Sequence, residues 1–324
     1  MQIPELIAVL ATAIATSTPL IFACIGETLT ERSGVINLSA EGTMLLAAMT
    51  GFALANTSGN LILGFVGAGG VGAGIALLMA VGSISLKQSQ IALGFVLTLL
   101  CSDLSSFLGT PFVRIPGPTV PRLPVPGLAS IPVLGPLFFQ SDGLVYLSYV
   151  LVVGSYWFLY HTRPGLELRA LGERPAAAFA RGIAVTRLRY LYTLLGGFLI
   201  GIAGAAFSLD FKAGWSHRHT AGYGWIALAI VIFGGWHPLR VALGAYLFGI
   251  LQSLASLAQG SIPGIPTQVF SVAPFVLMIL VLAVTANPAV ETLLQRLPAP
   301  FQRMSQHWLR SRAPTGLGQP FEQE

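Results

Sequence analysis

The stretch HTRPGLELRALGERPAAAFARGIAVTRLRY, His161 to Tyr190, separates two apolar runs, and its reading decides what the rest of the chain is. It carries Arg163, Arg169, Arg174, Arg181, Arg187 and Arg189 against Glu167 and Glu173. Six positive and two negative charges cannot rest in hydrocarbon, so the stretch is expected to be a loop between spans. Its basic excess sets it on the cytoplasmic side. A short helix is predicted within it: Pro175 suits a first helical position, Glu173 lies near the positive end, and Gly182 suits a stop. A helix over 175–181 is about 10 Å long. Flanked by arginines, it is either a solvated connector or a docking helix gripped by a cytoplasmic partner.

Composition points the same way. Of the 324 residues, 54% are hydrophobic and 9% charged, against about 25% charged in soluble domains. So few charges cannot cover a soluble surface of this size, and the expected solvent is lipid. The net charge of +5 gathers in one loop and one tail, where membrane topology accounts for it and nucleic acid need not. Cys24 and Cys101 sit in apolar runs without metal-ligand or disulfide spacing, so both are expected to be buried and inert. The first apolar run lacks the basic start and cleavage site of a signal peptide and is expected to be a retained span.

A span needs about 20 apolar residues to cross roughly 30 Å of hydrocarbon. On that measure the chain is an all-α polytopic membrane protein with about nine transmembrane helices. They run near 6–25, 37–55, 61–86, 91–109, 144–160, 191–209, 223–235, 241–258 and 268–286, the seventh being short. The membrane domain is then 1–287, followed by a polar cytoplasmic tail over 288–324. An odd count puts the N-terminus outside and the C-terminus inside, with 13 of the 17 basic residues on the inner side. Residues 110–143 form the longest outer connection and hold eight prolines, so a stiff, largely non-helical cap is predicted.

Three blocks, with Gln90-Ile-Ala-Leu-Gly94, carry a family resemblance. They are Glu31-Arg-Ser-Gly-Val-Ile-Asn-Leu-Ser-Ala-Glu-Gly42, the 162–185 stretch, and Ala221-Gly-Tyr-Gly-Trp-Ile-Ala-Leu-Ala-Ile-Val-Ile-Phe-Gly-Gly-Trp-His-Pro-Leu-Arg240. In this order they resemble the permeases of binding-protein-dependent ABC importers, in the branch handling ribose-type sugars, branched-chain amino acids and nucleosides. The match is closest to the second permease of nucleoside importers with a basic-membrane-protein-type lipoprotein receptor. Arg174 stands where that pattern leads to Asn, and Leu93 where it leads to a small polar residue.

The resemblance implies the partners: an ATP-binding subunit, a second related permease and an external substrate-binding lipoprotein, in the cell inner (plasma) membrane. It implies that the ATPase grips a coupling helix, with Gly172, Glu173, Arg174, Pro175, Ala176, Ala177, Arg181 and Gly182 at the contact. It also favours a broken second helix, with Asn37, Ser39, Glu41 and Gln90 on the substrate pathway. From the residues alone, the polar stretch 26–42 is either an inner loop or a cavity-lining break allowed by Gly34 and Gly42. Asn37 and Ser39 offer neutral hydrogen bonds suited to a sugar or nucleoside, whereas Glu41 is expected to pair with Arg32 or a neighbour. From the residues alone, Gln90 reads first as part of an interfacial helix start.

No cofactor, metal or catalytic residue is expected. Neither lysine, Lys87 or Lys212, follows a Gly-rich loop, so ATP hydrolysis belongs to another subunit. The competing class is a stand-alone ion-coupled transporter using Asp103 and Glu41; a membrane-embedded enzyme lacks a recognisable nucleophile. Glycines 64, 67, 69, 70, 72 and 74, and the pair Gly197 and Gly201, are expected to serve helix packing. Trp215, His217, Arg218, His219 and Tyr223, and at the other face Trp236 and His237, are read as interface anchors.

Overall fold

The computed structural model describes residues 3–220, 222–261, 266–285 and 313–321. Among these are eleven α-helices and no strand, only two isolated bridges. The helices are α1 (Ile3–Arg32), α2 (Ala40–Ser58), α3 (Leu61–Ala80), α4 (Gln90–Gly109), α5 (Gly143–His161), α6 (Arg163–Glu173), α7 (Pro175–Ala180), α8 (Val185–Ala206), α9 (Tyr223–Gly234), α10 (Pro238–Ser261) and α11 (Thr267–Thr285). Of the tail, residues 288–312 and 322–324 lie outside the described residues.

Among the described residues, six helical stretches are long and apolar enough to cross a membrane: Glu5–Arg32, Leu61–Ser85, Gln90–Phe112, Gly143–His161, Val185–Phe211 and Pro238–Gln259. The chain is therefore a multi-pass membrane protein, with a coarser count than the nine expected. Two shortfalls have plain causes. α2 breaks its apolar run with Glu41, Thr43, Thr50 and Asn56. α9 has 12 residues, about 18 Å, well under the hydrocarbon thickness.

The outward surfaces fit a lipid solvent. Ile62 on α3, Val96, Leu99 and Phe107 on α4, and Val150 and Val153 on α5 are all more than half exposed. Asp103 shares this exposed side of α4. Inside, α1 lies against α8, α9 and α10 through Leu20, Ile25, Phe207, Val231 and Phe248. A second cluster, with Phe52, Ile75, Met79 and Leu97, joins α2, α3 and α4. α1 tolerates its internal Pro19 beside polar neighbours: Ser17 Oγ reaches the Ala13 carbonyl at 2.6 Å and the Ala245 carbonyl at 3.0 Å.

The glycines divide by position. A Cβ on Gly72 would stand 2.2 Å from the Gly197 carbonyl oxygen, and one on Gly201 2.2 Å from that of Ala68. Here α3 and α8 meet backbone on backbone, as small residues allow in membranes. Gly70 and Gly74 face open space, so the packing role expected of them is not theirs.

The second helix starts at Ala40, not Asn37: residues 33–39 are non-helical, and Gly34 turns at φ +93°. Gly42 is not a break. It lets α2 press on α4, where a Cβ would lie 2.5 Å from the Thr98 Cα. The loop 113–134 is non-helical apart from turns, as its prolines dictate.

Candidate functional site

The polar 161–190 stretch is more structured than a loop. α6 forms over Arg163–Glu173, with Thr162 capping the Gly165 amide at 3.1 Å. Its Leu168 and Leu171 are fully buried with Leu159, Val185 and Tyr192, while its charges stay on the other face. Sequence reasoning missed this helix because Pro164 and Gly165 disguise its first turn. α7 then matches the expected short helix within a residue, from Pro175 to Ala180. Ala178 anchors it inward; Glu173, Arg174, Ala176, Ala177, Arg181 and Gly182 are exposed, Pro175 is half-buried and Gly172 is buried. Gly172 is buried because a Cβ there would meet the Arg32 carbonyl oxygen at 2.2 Å.

The α1–α2 turn packs beside this end of the bundle and carries a chain of buried polar groups. Asn37 Nδ2 donates to Glu27 Oε2 at 3.2 Å, and Ser39 Oγ donates to Asn37 Oδ1 at 2.6 Å. Gln90 Oε1 accepts from the Ile36 amide at 2.7 Å and borders a pocket of ≈ 200 Å³ lined also by Lys87, Gln88, Ser89 and Pro320. The Trp236 indole N–H donates to Glu31 Oε2, and Trp236 is only 4% exposed, so it is a core group rather than an interface anchor.

Arg32 and Glu41 do not pair with each other. Arg32 Nε and Nη2 donate to the carbonyls of Trp236 at 3.2 Å and Gly235 at 3.3 Å, where α9 ends. Glu41 sits at the other end of α9, accepting from Thr220 Oγ1 at 2.6 Å, the Gly222 amide at 3.0 Å and the Gly224 amide at 2.7 Å. A short helix buried in a membrane protein leaves amides bare at one end and carbonyls at the other. Here an acid covers the positive end and a base the negative end, as the helix dipole favours. Sequence reasoning marks Glu27 and Glu31 within the polar 26–42 stretch but not their partners, and misses Thr220; the clue to Thr220 is that 223–235 is too short to span, so its ends need partners.

At the opposite end, Trp215 is packed under Gly109 and His219 is 4% exposed, so neither anchors an interface; His217 and Arg218 do stay exposed. No group of three metal-ligating side chains exists among the described residues. Burial, and next the Lys212 ammonium, push the His219 imidazole down to about 4. Its unfolded value is about 6.5, so the unfolded chain takes up a proton first. Folding stability is then complete above about pH 6.5 and falls as pH drops toward 4, by at most about 3 kcal/mol. Thermal unfolding from pH 7 to pH 4.5 should show this decline, and His219→Gln should flatten it.

Taken together, these helices define a multi-pass membrane protein with a buried polar chain at one end of its bundle. The chain belongs to the family described as branched-chain amino acid transport system / permease component, whose model matches residues 9–282. It is 35% identical over 297 residues to a nucleoside ABC transporter permease of Lactococcus lactis subsp. cremoris, covering 87% of this chain and 93% of the relative. It is 31% identical over 302 residues to a guanosine ABC transporter permease of Bacillus subtilis, again covering 87% and 93%. A protein of Haloferax volcanii named for glucose ABC transport, also a permease, is 40% identical over 256 residues, 76% of each chain. No solved structure matches.

Proposed function

We propose that the chain is the membrane-spanning permease of an ATP-driven, binding-protein-dependent importer for nucleosides. The observation that carries this reading is the end-to-end similarity to the nucleoside and guanosine permeases, joined to an exposed α7 of the kind an ATPase could grip. A separate subunit hydrolyses ATP, and an external lipoprotein delivers the solute. The 40% identity to the glucose-named permease favours a simple sugar as the second reading.

In this reading α7 faces the cytoplasm, the N-terminus lies outside and the C-terminus inside. The described tail residues support that parity, since Gly316 bonds Gly172 at the α6–α7 end. Nine passages follow if the short α9 counts as one. Asn37, Ser39, Glu41 and Gln90 flank the pathway, and Gln90, beside its pocket, is the member best placed to meet solute. The positive end of α9 is already filled by Glu41, which suits a neutral solute better than an anion. A second, related permease covers α4. Its apolar face holds Asp103, and an acid left in lipid costs about 2.5–3.5 kcal/mol by insertion scales.

The test is uptake of labelled guanosine and glucose in cells carrying the full transporter. Guanosine uptake should exceed glucose uptake, and deleting residues 176–181 should reduce it roughly 100-fold, the effect of losing about 2.7 kcal/mol of coupling. ATP-driven uptake at the normal rate after the deletion rejects the docking role, and glucose as the preferred solute selects the sugar reading.

A further inference from the structure

We infer that residues 313–321 form an intramolecular strap that fixes the α6–α7 loop to the α1–α2 turn and carries movement of α7 to Gln90. The segment crosses the end of the bundle and is fastened at each step. Thr315 Oγ1 donates to Glu173 Oε2 at 2.6 Å, and the Gly316 amide donates to the Gly172 carbonyl at 2.8 Å. The Gly318 amide donates to the Gly34 carbonyl at 3.1 Å, and Arg189 Nη1 on α8 donates to the Gln319 carbonyl at 3.2 Å. Pro320 borders the pocket of Gln90, and the Phe321 ring stands 5.7 Å from that of Phe179 on α7.

Two glycines make this course possible. A Cβ on Gly316 would lie 2.9 Å from the Gly172 carbonyl oxygen and 3.0 Å from Pro175 Cδ. Gly318 adopts φ +75°, and a Cβ there would press on Ile36 at 2.8 Å. The sequence Pro314-Thr-Gly-Leu-Gly-Gln-Pro320 is thus shaped to its groove.

A helix of six residues has no independent stability, so the posture of α7 is set by what touches it. Ala178 supplies the inward contact. The strap supplies the lateral one, through Glu173, Pro175 and Phe179, and leaves Ala176, Ala177, Ala180 and Arg181 clear for a partner. It therefore braces the docking face without blocking it. The same nine residues touch Gly34 and Ile36, one peptide from the bond between Ile36 and Gln90. A push on α7 is delivered along the strap to the non-helical turn and to the pocket.

The coupling role rests on the reading of α7 given above, while the fastening does not, and two measurements separate them. The first is hydrogen exchange of 172–183 in the chain reconstituted in lipid discs. Truncation after residue 312, and Gly316→Leu in the full-length chain, should each speed exchange by at least about tenfold, the loss of roughly 1.4 kcal/mol of local stability. Unchanged exchange in both variants overturns the strap. The second is solute imported per ATP hydrolysed by the complete transporter. It should fall about tenfold in Gly316→Leu with the ATPase still bound. An unaltered ratio overturns the coupling role. Faster exchange in a transporter whose ATPase binds equally well without 176–181 upholds the fastening and rejects the docking reading.

Discussion

Replacing Glu41 with alanine should lower the unfolding temperature of the purified chain by about 10 °C. The Glu41 side chain is 7% exposed and accepts three hydrogen bonds, from the Thr220 hydroxyl and the Gly222 and Gly224 amides. Truncating it leaves those three donors without their acceptor. A buried donor left without its acceptor costs about 1–3 kcal/mol, so three of them cost about 3–5 kcal/mol together, and each kcal/mol moves the midpoint of a large chain by about 2–4 °C. Glu41→Gln keeps an acceptor for part of the set and should fall between wild type and alanine. Thermal unfolding in detergent, followed by intrinsic fluorescence, reads the order directly. Equal stability of all three chains would mean that α9 is held by packing alone.

Gly72→Val should abolish the folded, monodisperse protein. The new Cβ would lie 2.2 Å from the Gly197 carbonyl oxygen and 2.8 Å from the Gly201 backbone. Both neighbours are main chain, so no rotamer change relieves the clash. α3 and α8 must separate by more than about 1 Å, losing their packing along the seam. Gly74→Val, two residues on, meets nothing within 4 Å and should behave as wild type. Size-exclusion profiles of the two variants make the comparison, and a normal profile for Gly72→Val removes the seam from the account.

Much of this fold follows from simple rules. The apolar runs and the proline-rich cap were legible because span length and a missing N–H act locally. α7 was legible to within a residue, since Pro175 and Gly182 mark its ends. The rest depended on partners that sequence does not place. Charge sign left Glu41 to Arg32 or a neighbour; α9 lies between the two, and Glu41 answers one end of its dipole and Arg32 the other. Trp215, His219 and Trp236 looked like interface anchors by type, yet all three are buried, Trp215 against Gly109 and Trp236 against Glu31. The tail was opaque for another reason: its main fastenings are the backbone carbonyls of Gly172 and Gly34, which leave no side-chain signal. Only Gly316 and Gly318 hinted that the segment lies close to something.

The glycine seam has a mechanical consequence. Two rods touching through their main chains have no layer of side chains to slide over, so α3 and α8 share one rigid frame. α2 is riveted to that frame as well, by the Ser208 hydroxyl on the Ala48 carbonyl at 2.8 Å. Any rearrangement of the bundle carries this three-rod chassis as one body, and the seven-residue non-helical link ahead of α2 adjoins it.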